Sequence, residues 1–171
     1  RILHDHFAVD FICDTLRMLS MNLDDPHQVF DTMESQLEKH HHEKMMPQHA
    51  LQTMADGLPA IGIVAAVLGV IKTMGSVTEP PEVLGGMIGS ALVGTFLGVF
   101  LAYLLVGPFG VRLKQVYDEE HQFYMIIRDV LVAHLNGNAP QVSVEIGRGN
   151  VPSNMQPTFF ELEEALNATT E

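Results

Sequence analysis

Apolar residues recur at helical spacing from the start of the chain. Phe7, Phe11, Ile12, Leu16 and Leu19 fall on one stripe, which predicts an amphipathic helix from His4 to Ser20. A second opens at Asp25-Pro26, with the Asp as N-cap and the Pro at the first helical position. It carries Val29, Phe30, Met33 and Leu37 on one side and Asp31, Glu34, Glu38 and Lys39 on the other. These two are expected to pair as a hairpin outside the bilayer. The pattern then changes. Gly57 to Val77 is broken only by Lys72, and Val83 to Val111 runs for 29 positions without Asp, Glu, Lys, Arg or His. A membrane helix needs roughly 20 mostly apolar residues to cross a ~30 Å hydrocarbon core. Two spans are therefore predicted, at 55–77 and 84–111, with a short external turn at 78–83 around Glu79, Pro80, Pro81 and Glu82.

After the second span the helical period persists through Leu113, Val116, Phe123, Ile127, Val130 and Leu131. That predicts one long helix, bent at Pro108 and continuing into solvent over 112–136. Beyond Asn136 the pattern reads as irregular until Thr158 and Glu161, which fit a capping box opening a short acidic helix to about Leu166. The predicted fold class is all-α: a polytopic membrane protein with cytoplasmic helical segments at 1–54, 112–136 and 137–171. Arg112, Lys114 and Arg128 follow the second span, and Lys39 and Lys44 precede the first. That basic bias puts both ends of the chain in the cytoplasm.

Composition sharpens this picture. The net charge is −12, yet only Glu79 and Glu82 of the 21 acidic residues lie between Gly57 and Val111. The acid therefore sits on the soluble segments, which argues against a nucleic-acid partner. Cys13 has no second cysteine to pair with, and its apolar neighbours suggest a buried thiol. Arg1 is not a start methionine and no signal segment follows it, so the sequence reads as the back part of a longer chain.

Candidate chemistry is concentrated in the spans. Gly86, Ser90, Gly94, Gly98 and Ala102 are four apart, a groove of small residues along one helix face where another helix can approach. Gly62 with Ala66, and Ala65 with Gly69, do the same on the first span. The stripe is longer than two packed helices require, which favours an oligomer enclosing something. An ion path usually needs an intramembrane carboxylate or histidine, and neither span holds one in its interior, since Asp56 lies at the entry of the first. Thr95 is the only hydroxyl near the middle of the second span, so any titrating group must come from another chain or from upstream. Pro59 and Pro108 are read as lying at one membrane level, a matched pair of hinges. His40, His41 and His42 point about 100° apart on a helix and converge poorly on one metal, so they read as a solvated helix end. No phosphate loop, nucleophile triad or zinc-protease motif is present, and neither enzyme activity nor a cofactor is expected.

The spans "DGLPAIGIVAAVLGVIKTMGSV" and "ALVGTFLGVFLAYLLVGP", with the proline-bearing turn between them, resemble the last two membrane spans of the MotA flagellar stator family. "RILHDHFAVDFICDTLRML", "VEIGR" and "PTFFELEEAL" resemble its cytoplasmic segments. The resemblance implies two further spans upstream, an inner-membrane location and a homopentamer around a dimer of MotB. The MotB helix would supply the ion-carrying aspartate, and ion flow would turn the pentamer against the rotor protein FliG. It also implies that Thr95 and Ala66 line the ion path, that Pro59 and Pro108 couple it to the soluble part, and that the charged rotor contacts lie before Arg1. Sodium-type relatives carry a threonine where this chain has Ala66, so proton coupling is implied. Other readings are an ExbB or TolQ subunit energising the outer membrane, a self-contained channel, or a membrane scaffold without ion coupling.

Overall fold

A computed structural model describes residues 5–21 and 25–168, with the backbone alone at 169 and 170. Its described helices are α1 (His6–Ser20), α2 (Pro26–Met74), α3 (Pro81–Phe100), a π turn (Leu101–Val106), α4 (Gly107–Leu135), α5 (Pro140–Gly149) and α6 (Phe159–Thr170). His4, where the periodicity began, lies outside the described residues. The chain divides into two compact units, Lys44–Val116 and Arg1–Glu43 with Tyr117–Glu171.

The first unit holds the apolar helices. The second amphipathic helix and the first span are not separate elements: α2 runs 49 residues, with Pro47 and Pro59 inside it. At about 1.5 Å rise per residue that is roughly 74 Å, more than twice a bilayer core. Among the described residues, α2 and the continuous α3–α4 helix are the two elements long and apolar enough to cross a membrane. The turn between them covers 75–80, and helix α3 begins at Pro81.

The helix bearing the second span contains a π turn, which the apolar pattern does not foretell. Pro108 has no N–H, so one carbonyl in the preceding turn loses its donor. The chain loosens just before it, and Gly107 N–H donates to the Ala102 carbonyl, five residues back rather than four.

The second unit has a core of Ala8, Phe11, Val29, Met33, Leu37 and Tyr124. Helix α1 is started by Asp5, whose carboxylate accepts from Ala8 N–H at 3.1 Å. Asp25 likewise caps α2, accepting from His27 N–H at 3.0 Å. The predicted faces are partly rotated. Ala8, Phe11 and Thr15 are buried on α1, while Leu16 is 51% exposed. Cys13, expected to be buried, is exposed. It lies two residues, about 200°, round the helix from Phe11.

The buried face of α4 carries polar groups that an apolar count passes over. Tyr124 is 1% exposed and Arg128 is 5% exposed, whereas Phe123 and Val116 are about two-fifths exposed. Tyr124 donates to Asp5 at 2.8 Å, and burial, with its bonds to Asp5 and Glu120, raises the phenol well above its usual range. Arg128 is paired with Glu34, bonds Asp129 at 2.8 Å and lies 4.5 Å from the centre of the Phe30 ring. Arg128 is buried while Glu34 is half-exposed, and the pair ties α2 to α4.

The segment after Asn136 is not irregular: Pro140 to Gly149 forms α5. Its buried face is Ser143 and Gly147, so no apolar stripe announced it. A Cβ at Gly147 would collide with the Val130 side chain, which is how closely α5 packs on α4. Arg148 closes the following loop by donating to the Pro157 carbonyl at 3.0 Å. The capping box is present, with Thr158 N–H to Glu161 at 2.7 Å and Glu161 N–H to Thr158 Oγ1 at 3.3 Å. Helix α6 extends to Thr170, one turn beyond the expected end.

Candidate functional site

The two membrane helices meet through glycine and alanine. A Cβ at Gly62 would stand 2.8 Å from the Gly94 carbonyl oxygen, one at Gly94 would stand 2.9 Å from Ala65 Cβ, and one at Gly98 would stand 2.6 Å from the Leu58 carbonyl oxygen. Backbone therefore lies directly on backbone, and at Gly69 the contact is with Ala91. The predicted stripe of small residues thus splits. Gly94 and Gly98 are consumed inside the chain, and Ala102 is wholly buried. A Cβ at Gly86 would meet nothing within 4 Å, and the Ser90 hydroxyl turns back to its own helix, donating to the Gly86 carbonyl at 2.9 Å. Only this outer half of the stripe is open to another chain.

Toward the turn the spans part around a cleft of about 520 Å³, lined by Lys72, Ala65, Gly86, Met87 and Ser90 among others. Lys72 is thus the one basic group beside the open half of the stripe.

Thr95 lies at the closest approach. Its hydroxyl donates to the Gly62 carbonyl at 3.3 Å, across to the other span rather than back along its own helix. In a regular helix that same carbonyl accepts the amide of Ala66. Thr95 and Ala66 are thereby brought to one oxygen, and both are half-buried. With its proton engaged, the Thr95 oxygen keeps its lone pairs as acceptors. The site can take a proton-bearing donor without rearrangement, whereas an ionised carboxylate would have to draw the hydroxyl away from Gly62.

The two prolines are not at one level. Pro108 shares a cleft with Gln52, Tyr103 and Arg112, and Gly110 abuts Leu51. Pro59 instead follows Leu58, whose carbonyl meets Gly98. The residue opposite Pro108 is therefore near Gln52, seven residues before Pro59 and about 10 Å along the axis. Antiparallel register, which residue spacing within one helix does not contain, produces the offset. Pro108 adjoins the π turn, while α2 stays α-helical through Pro59.

The histidine run is not a solvated end. It falls inside α2, where His40 stacks on Phe7 with ring centres 3.5 Å apart and His41 lies 4.3 Å from His121 of α4. No pattern within residues 40–42 signals either partner, since both are distant in sequence. Among the described residues, no group of three or more His, Cys, Asp or Glu side chains is placed to hold a metal ion.

Residues 4–125 match the MotA/TolQ/ExbB proton channel family. Motility protein A of Escherichia coli strain K12 is 39% identical over 168 residues, 98% of this chain and 57% of that protein. Chemotaxis protein LafT of Vibrio parahaemolyticus is 32% identical over 162 residues, 95% of this chain and 57% of that protein. The chain thus spans somewhat more than half the length of these relatives. In fold it is similar to the flagellar MotAB stator complex from Bacillus subtilis, with a TM-score of 0.72 and 24% identity over 85% of this chain and 56% of that one. Against C. jejuni MotAB the TM-score is 0.75 and the identity 20%, over 88% of this chain and 58% of that one.

Proposed function

The chain belongs to the MotA/TolQ/ExbB proton channel family, and from that premise we propose that it is the ion-path and cytoplasmic part of a flagellar stator subunit. The observation that carries this reading is the likeness to Motility protein A along 98% of the chain. Spans with no carboxylate in their interior need one from elsewhere, and a MotB-type partner helix supplies it. Five copies of the subunit around two such helices would expose their Thr95 and Ala66 positions to that acid in turn. Ion passage would then rotate the ring and drive the rotor protein FliG. The complex sits in the inner membrane with both ends of this chain in the cytoplasm, a placement supported by Arg112, Lys114, Lys39 and Lys44. No bond-making chemistry is needed, and the family is one of channels rather than enzymes.

The coupling ion is the proton. Sodium must exchange water for oxygen ligands, and the Ala66 side chain offers none. Full-length protein, expressed with its partner in a flagellated strain lacking stators, is expected to restore swimming in sodium-free medium. A protonophore should stop it. Speed that follows sodium concentration would refute proton coupling, and rescue of outer-membrane energisation without motility would favour the ExbB and TolQ branch.

Thr95→Val keeps the shape and removes the hydroxyl. An interhelical bond of this type is worth about 0.6 kcal/mol in a membrane, so assembly should hold. Proton flux per assembled complex should fall severalfold, and Thr95→Ser should restore it. Unchanged speed at every load would make the Thr95 bond a packing feature alone.

A further inference from the structure

The contact between His41 on α2 and His121 on α4 has no place in ion conduction or span packing. The rings are 4.3 Å apart and inclined by 32°, and His41 Nε2 lies 3.5 Å from Asp118 Oδ1. We propose that His41, His121 and Asp118 form an acid-released latch between α2 and α4, closed at neutral pH and opened when the cytoplasm acidifies.

The charge count dictates the direction. One carboxylate, Asp118, serves two imidazoles, so a closed contact with both rings protonated would hold two positive charges against one negative. A proton on His121 would enter a half-buried position beside the second ring. Burial and His41, then His40, hold the His121 imidazole below its usual range, against the opposing pull of Asp118 and Glu38. The charged and titratable groups that act on His121 are thus His41, His40 and Glu38 from α2 and Asp118 from its own helix. Helix α1 meets the neighbouring His40 through Phe7, and its Asp10 and Asp14 line the same cleft as His40, Lys39 and Glu43.

Linkage follows from that sign. With the helices apart, His121 titrates near its ordinary value of about 6.5. In the closed contact it binds its proton less readily, so the contact is fully favoured above the ordinary value and loses ground as pH falls through it. Arg128 with Glu34 and the apolar core still hold the unit, so the expected change is local loosening rather than unfolding.

The test is hydrogen exchange on the full-length protein in complex with its partner subunit, between pH 7.5 and 5.5, corrected for the intrinsic pH dependence of exchange. Amides of 118–125 in α4 are expected to lose protection about threefold on acidification. His121→Gln, a neutral amide, should abolish that loss while matching the wild type at pH 7.5. His41→Gln should diminish it. Asp118→Asn removes the balancing charge, so opening should begin at higher pH. Acid loosening that persists in both glutamine variants, or a wild type with no pH dependence in this segment, would overturn the latch.

Discussion

A Gly98→Val chain is expected to lose the packing of its two membrane helices. The obstacle is backbone: a Cβ there stands 2.6 Å from the Leu58 carbonyl oxygen and 3.0 Å from Gly62 Cα. No side chain is available to swing aside, so α2 and α3 must separate. Overpacking typically costs about 1–3 kcal/mol, and the Thr95 bond to Gly62 is lost with it. Gly86→Val is the contrast, since a Cβ there would meet nothing within 4 Å. Thermal unfolding of the detergent-solubilised full-length protein should show a clear fall in Tm for Gly98→Val and little change for Gly86→Val. If the outer half of the stripe packs on a partner helix, Gly86→Val should instead lose the partner on purification. Equal Tm for both variants would contradict the packing described above.

Pro108→Ala is expected to reduce rotation sharply while leaving the complex assembled. Alanine restores an N–H in the turn after Val106, which lets the π turn revert to regular α-helix. The helix gains stability, by up to the roughly 3 kcal/mol that separates proline from alanine in a helix interior. It also stiffens where α4 leaves the span. The expected readout is normal stator abundance at the motor beside a large drop in speed under load. Pro59→Ala should act in the same direction but more weakly, because α2 already keeps α-helical form through Pro59. If abundance and speed fall together, Pro108 serves the fold and not the transmission of torque.

Features that depend on few neighbouring residues were legible without coordinates. The spans were, because excluding charge from hydrocarbon is a property of each residue in the run. So were the Asp25 cap and the Thr158–Glu161 box, whose partners lie within one turn. The buried line Val29, Met33 and Leu37 followed from spacing alone.

Tertiary structure decided whatever depends on which residue faces which across a gap in sequence. Thr95 and Gly62 are 33 positions apart, and Tyr124 and Asp5 are 119 apart. Antiparallel register put Gly94 and Gly98 inside the chain, left Gly86 open and set Pro59 and Pro108 at different depths. Partners from other helices turned His40, His41 and Arg128 from apparent surface groups into contacts. Helix α5 stayed hidden for a related reason: its buried face is small rather than apolar, and its packing comes from the surface of Val130 and Ile126 that Gly147 lets approach. Periodicity within a helix identifies a face, but only the partner helix settles whether that face is buried, shared or left free.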